Sequence, residues 1–414
     1  MTSNPDSHPI PSAGSDPSSR IQDLLVFGEF GDVNPSITDS STFTFLSPDT
    51  MGEVFTHEIE GCFLYSRHWN PTNKVLSQAL SALEGSQSAQ VTASGMAAIS
   101  STILQLCHAG DEVVSNRTIY GGTYAFFKNF LPRLGITVRF VDMLDPAEVV
   151  GAMTDRTRAV YCESMSNPLL EIVDIPKLAE IAHARGAKLV VDNTFSPLIL
   201  SPLRLGADVV VHSMTKFING TSDCVAGCIC ADDAFIHELT DIGSGACMLL
   251  GPVLDSFRSA SIHKNLHSLH VRMQKHSENA LYLARRIEDL GLKVYYPGLP
   301  SHPQYELLTR LANPGFGLGG MLAIDVGDLA TANRLMERMQ EAKIGYLAVS
   351  LGYFKTLFSS PSSSTSSEIP HEEQDRMGLK GGLVRMSVGL DHDIARTFER
   401  LRACLEELRI SAAV

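Results

Sequence analysis

Between residues 85 and 230 the chain repeats one pattern, in which short runs rich in Val and Ile alternate with stretches of helical spacing. The runs are "AQVTAS", "DEVVSN", "ITVRFVD", "AVYCES", "KLVVDN", "DVVVHS" and "VAGCIC". Each is too short for a buried helix and reads as a strand. Between them, "SGMAAISSTILQL" places Ile99, Ile103 and Leu106 on one helical face, and "DIPKLAEIAHARG" carries a capping Asp174, a first-turn Pro176 and a stop at Gly186. Such alternation predicts an α/β fold, with a mostly parallel seven-stranded sheet covered by helices on both faces. After about residue 270 the pattern changes to a helix, "SENALYLARRIEDLG", followed by separate strand and helix segments, which predicts a smaller C-terminal α+β domain.

In open sheets of this kind ligands sit at the carboxyl ends of the strands. There the chain places residues that a core strand does not require. "KLVVDN" ends at Asp192, and "DVVVHS" ends at Ser213 with Thr215 and Lys216 just beyond. A lysine that forms a Schiff base with a pyridoxal cofactor needs three companions: a carboxylate for the ring nitrogen, hydroxyls for the phosphate and further backbone donors. Lys216, Asp192 and the Ser213/Thr215 pair supply those types. "TASGM", between a strand and a helix, offers the amides of Gly95 and Met96 at a positive helix end.

Composition narrows the partners. The 414 residues carry a formal charge of -13, which argues against nucleic acid or an anionic membrane as the main partner. The apolar runs fall short of the ~20 residues that span a bilayer. Residues 1–22 are Ser/Pro-rich without an apolar core segment, so a disordered extension is expected rather than a leader or anchor. Eight cysteines without framework spacing point to a reducing, cytoplasmic setting. Cys224, Cys228 and Cys230 read as strand packing, and no metal site is expected. "SSPSSSTSSEIPHEEQD" is expected to be an exposed loop.

The stretch "HSMTKFINGTSD", with "VVDNTF" upstream, resembles the lysine signature of the Cys/Met-metabolism family of pyridoxal-phosphate (PLP) enzymes, which have fold type I. "YSRHWNPT", "SGM", "YGGT", "ESMSNP", "VSLG" and "RMSVG" extend the likeness in family order from about residue 25 to the C-terminus. The resemblance implies that Lys216 holds the cofactor and shuttles protons, and that Asp192 pairs with the pyridine nitrogen. Tyr120 would stack on the ring and protonate the departing group. Gly95, Met96, Ser213 and Thr215 would bind the phosphate, with Tyr65 and Arg67 completing that site from a neighbouring subunit. Glu163 would belong to the polar surroundings of the ring. Arg385 would clamp the substrate carboxylate, helped by Ser350 and Asn167, with Tyr65 and Val349 also facing substrate. The implied organisation is an N-terminal arm at 23–64 contacting the partner subunit, a PLP-binding large domain at 65–272 and a C-terminal domain at 273–414. The implied assembly is a homo-oligomer, a dimer of dimers, that takes an amino-acid substrate.

Family members differ in how they read the substrate tail. Those that process cystathionine carry an Arg shortly after "YGGT" and a Glu just before "SLG", where this chain has Ala125 and Val349. A site without these charges suits an apolar thioether. The expected reaction is therefore γ-elimination of methionine to methanethiol, 2-oxobutyrate and ammonia. The alternatives are γ-replacement of the O-acetylhomoserine sulfhydrylase type and cystathionine cleavage. Gly122, where many bacterial relatives with the methionine reaction carry Cys, and the Ser-rich stretch are the two departures from the expected pattern.

Overall fold

The computed structural model describes residues 16–55, 59, 61–364 and 369–410. Seven strands form the large sheet: β1 (Ser88–Thr92), β2 (Glu112–Asn116), β3 (Thr137–Val141), β4 (Thr157–Glu163), β5 (Lys188–Asp192), β6 (Val209–Ser213) and β7 (Gly227–Ala231). Their spatial order is β1-β7-β6-β5-β4-β2-β3. Only β7 runs against its neighbours. The runs expected to be strands are these strands, and both sheet faces are buried, one under a cluster with Leu76, Leu80, Val191 and Val210 and the other under one with Ile99, Ile103, Val190 and Val211. Alternate residues of β5 and β6 thus serve opposite faces, as a period of two requires.

A second sheet contains β8 (Lys293–Tyr295), β9 (Met321–Asp325), β10 (Gly345–Leu347), β11 (Thr356–Ser359) and β12 (Leu383–Ser387), in the order β10-β11-β12-β9-β8. It has its own core, including Leu283, Ile324, Phe358 and Phe398. The expected domain boundary at 272/273 falls inside one continuous helix, Leu269–Asp289. Its first two turns already bury Leu269 and Met273, so the apolar face that continues through Ala280, Leu283 and Ile287 begins before the expected boundary. No helix among the described residues is long and apolar enough to cross a membrane.

Two sequence expectations need correction. The expected disordered extension at 1–22 runs into described helical residues from Pro17 on, and residues 1–15 lie outside the described residues. Pro17–Asp23 is a helix whose first amides are accepted by Asp16, at 2.9 Å from Ser18 and 3.1 Å from Ser19. Arg20 is buried and donates to the carbonyls of Ala82 (2.7 Å) and Leu83 (2.8 Å), satisfying the last turn of helix Pro71–Glu84. The Ser-rich stretch is likewise not simply an exposed loop. Ser359 and Ser360 are buried, Ile369 and Gln374 pack inward, and His371–Arg376 is a helix. Residues 365–368 lie outside the described residues.

The loop between β10 and β11 packs against the turn after β6 at Gly352, whose φ is +78°. A Cβ there would lie 2.5 Å from the amide nitrogen of Phe217 and 2.8 Å from the carbonyl carbon of Lys216. Its own amide donates to Ser387 Oγ at 2.9 Å. Gly352→Ala is expected to cost about 2–4 kcal/mol in urea unfolding, by backbone collision added to the left-handed conformation. Gly186→Ala, with φ of +69° and open space around it, should cost only the conformational part, about 1–2 kcal/mol. Equal losses at the two positions would show that the approach at Gly352 is not tight.

Candidate active site

The carboxyl ends of β4, β5 and β6 open into a cavity of about 240 Å³. Lys216, Tyr120, Asp192, Ser213, Thr215, Gly95, Met96, Glu163, Asn167, Val349 and Arg385 all line it. These residues come from positions up to 290 apart in sequence, between Gly95 and Arg385, and the sheet order is what gathers them. Ser350 does not line the cavity but touches it through Lys216, whose Nζ donates to Ser350 Oγ at 3.2 Å. Tyr65 and Arg67 are elsewhere: Arg67 donates to the Met248 carbonyl at 2.8 Å and lies 5.7 Å from the Tyr65 ring centroid.

Asp192 closes β5 and is buried. Its Oδ1 accepts the Thr194 amide at 2.9 Å, and Tyr161 OH lies 3.4 Å from Oδ2. Burial pushes the carboxyl above its ordinary value, and the Thr194 bonds oppose that rise. Thr194 also accepts the Ser213 amide on its Oγ1 at 2.8 Å, so a single hydroxyl ties the ends of β5 and β6 together. Sequence reasoning missed Thr194, although the "DNT" stretch placed it two residues beyond Asp192.

Helix Gly95–Leu106 begins at the cavity wall. Ser94 Oγ accepts the Ala97 amide at 3.0 Å, which leaves the amides of Gly95 and Met96 without an intrahelical partner. A Cβ on Gly95 would lie 2.7 Å from Ser213 Cβ, so only glycine lets the helix end approach the hydroxyl on β6. Thr215 stands on the same side, its Oγ1 accepting the Ala226 amide at 3.1 Å. Two amides at a helix N-terminus and two hydroxyls make a site suited to a phosphate group.

Glu163 closes β4 and organises the opposite wall. One oxygen accepts the Tyr120 amide and the other the Asn167 amide, both at 2.8 Å. Burial, then the charge of Asp192, pushes its carboxyl up to about 8. Asn167 Oδ1 accepts from Arg385 Nη1 at 2.9 Å, and Arg385 Nη2 reaches Ser359 Oγ at 3.4 Å. Ser359 is a further partner that the sequence did not reveal, hidden in what read as low-complexity sequence. The Tyr120 ring folds back over Gly122, where a Cβ would sit 2.6 Å from Tyr120 Cε1. A side chain at position 122 would therefore have to shift that ring.

Burial, then Arg385, lowers the Lys216 amine to about 8, which makes it a nucleophile and proton carrier near neutral pH. A nucleophilic amine, a carboxylate at the end of the neighbouring strand and an anion-binding helix end fit the parts of PLP: aldehyde, ring nitrogen and phosphate. Met165, Phe195, Val225 and Leu351 give the remaining wall an apolar character, and Val349, at the rim, is 61% exposed. Ala125 is not among the lining residues.

Comparison with known proteins agrees with this fit. Residues 25–400 match the family described as Cys/Met metabolism PLP-dependent enzyme. Methionine gamma-lyase of Arabidopsis thaliana is 47% identical over 382 residues, covering 91% of this chain and 87% of that protein. O-succinylhomoserine sulfhydrylase of Pseudomonas aeruginosa is 37% identical over 368 residues, covering 88% of each. A putative O-acetylhomoserine (thiol)-lyase of Campylobacter jejuni, whose structure carries N'-pyridoxyl-lysine-5'-monophosphate, superimposes with a TM-score of 0.88 at 27% identity, covering 95% of this chain and all of that one. With a lysine, carboxylate and anion site of the required kinds at the ends of its central strands, the chain belongs to the Cys/Met-metabolism family of PLP-dependent enzymes.

Proposed function

We propose that the protein cleaves the Cγ–S bond of L-methionine and related thioether or thiol amino acids, converting methionine and water to methanethiol, 2-oxobutyrate and ammonia. The observation that carries this reading is the wall of the cavity beyond Arg385, where Val349, Val225 and Leu351 offer apolar contact and no charge for a second amino-acid head. The likeness to a protein named methionine gamma-lyase supports it.

Bound in the cavity, PLP supplies an electron sink that acidifies the hydrogens on Cα and then Cβ of the amino acid. Arg385, held flat by Asn167 and Ser359, receives the substrate carboxylate as a bidentate partner, and Ser350 assists. Lys216 takes the Cα proton and carries it within the site. Tyr120, with its backbone fixed by Glu163, gives a proton to the departing sulfur. Asp192 keeps the ring nitrogen protonated, and Gly95, Met96, Ser213 and Thr215 hold the phosphate.

The active unit in this reading is a homo-oligomer, a dimer of dimers, in which Tyr65 and Arg67 serve the partner's site. Two observations support it: neither residue reaches the cavity of its own chain, and the arm exposes Leu25, Phe27, Phe30, Val33 and Leu46. We place the enzyme in the cytoplasm, which its eight free cysteines support.

Methionine, cystathionine, and O-acetylhomoserine with sulfide, supplied in turn to the purified holoenzyme, test the substrate. The expected result is that methionine gives the highest kcat/KM, read as 2-oxobutyrate and methanethiol. Homocysteine formed from O-acetylhomoserine and sulfide as the best reaction would assign γ-replacement instead. The lowered Lys216 amine gives a second expectation. The neutral amine captures the aldehyde, so PLP uptake by apoenzyme should accelerate as pH rises, with a midpoint near 8 where half the amine is neutral. A midpoint above pH 10, followed by stopped-flow absorbance, would contradict the effect of burial.

A further inference from the structure

The helix Leu269–Asp289 touches both halves of the active site along one polar seam. Arg272, His276 and Asn279 are spaced four and three apart and share a face. At the N-terminal end, the Arg272 guanidinium donates to the carbonyls of Phe217 and Ile218, the latter at 2.9 Å, and also to Asn265 O at 3.0 Å and Ser268 Oγ at 3.1 Å. Phe217 and Ile218 directly follow Lys216. Gly220, with φ of +75°, closes that turn, and a Cβ there would collide with the guanidinium.

One turn further, His276 is wholly buried. Its Nδ1 donates to the Val388 carbonyl at 2.6 Å, and its ring meets Phe217 edge-on with centroids 5.2 Å apart. Asn279 Nδ2 donates to the carbonyls of Gly389 (2.8 Å) and Asp391 (2.9 Å). Val388 and Gly389 continue the strand that carries Arg385. The same helix face thus holds the backbone after the lysine and the backbone after the arginine. Apolar packing would hold the two parts together without fixing their register, whereas these bonds are directional.

We propose that Arg272, His276 and Asn279 form a positioning seam that sets the strand of Arg385 against the turn of Lys216, and so fixes the reach from the substrate's carboxylate anchor to the amine that moves its proton. The inference rests on the roles given to Lys216 and Arg385 above. Its physical basis is that a displacement of about 1 Å between groups acting on one substrate can cost ~100-fold in rate.

The test compares His276→Leu, which removes the donor, with His276→Asn, which returns an N–H close to the Nδ1 position, in holoenzyme with full cofactor loading. The expected result is a fall of roughly 10- to 100-fold in kcat/KM for methionine with His276→Leu, expressed mainly in kcat, and recovery of most of it with His276→Asn. Arg272→Lys, which keeps a cation but has three donors for the four acceptors that the guanidinium serves, provides a milder second variant if His276→Leu does not fold, and should fall several-fold. Wild-type kcat and KM in fully loaded His276→Leu or Arg272→Lys, with only thermal stability reduced, would overturn the seam. Lys216→Ala and Arg385→Ala run in parallel. If either keeps wild-type turnover and KM, the reading of the site itself is wrong, whereas loss in those two beside normal seam variants refutes the seam alone.

Discussion

Three ionisable side chains, Asp192, Glu163 and Arg385, are buried around one cavity that Lys216 also enters, and most of the local architecture follows from making that tolerable. A buried charge costs several kcal/mol unless polar partners replace the lost water. Here the partners are supplied mostly by backbone and by small polar side chains. Glu163 takes two amides, Asp192 takes the Thr194 amide, and Arg385 rests on Asn167 and Ser359. Each partner lies at a strand end or in the turn after it, where amides are not committed to the sheet. The location of the site at the carboxyl edge is therefore where the chain has donors to give.

The same partners transmit position. Glu163 is bonded to the backbone of Tyr120 and of Asn167, so Tyr120 and the residue that supports Arg385 share one carboxyl group. Thr194 joins the strand of Asp192 to the strand of Ser213. Gly352 lets the loop between β10 and β11 come within contact of the Lys216 carbonyl carbon. Substrate preference can vary on this frame without disturbing it, because Val349 and Val225 line the open side of the cavity and are largely exposed.

The strands, and the lysine, carboxylate and hydroxyls at their ends, were legible because short apolar runs there end in polar residues. The parts that stayed hidden are those where polar residues occupy structural positions. Arg20 docks a helix that composition presents as a tail, since its buried contacts are to carbonyls rather than to apolar neighbours. In helix Leu269–Asp289 the buried face runs Leu269, Met273, Ala280, Leu283 and Ile287 but includes the polar His276, Ser277 and Asn279, which blurs the apolar period before Leu283. Ser359 is buried against Arg385 within a run whose composition reads as solvent-exposed. Tyr65 and Arg67 carry a motif but no contact with their own cavity, which is why sequence likeness rather than single-chain geometry gives them a role.

The central claim is that the cofactor is carried by Lys216 at the end of β6, among the side chains that the strand ends bring together. Borohydride reduction of the holoenzyme, which fixes a lysine–cofactor linkage, followed by proteolysis and mass spectrometry of the peptides tests it directly. The account predicts a single pyridoxyl-phosphate adduct on the peptide containing Lys216. An adduct confined to any other lysine, or none in enzyme that turns over substrate, would contradict it.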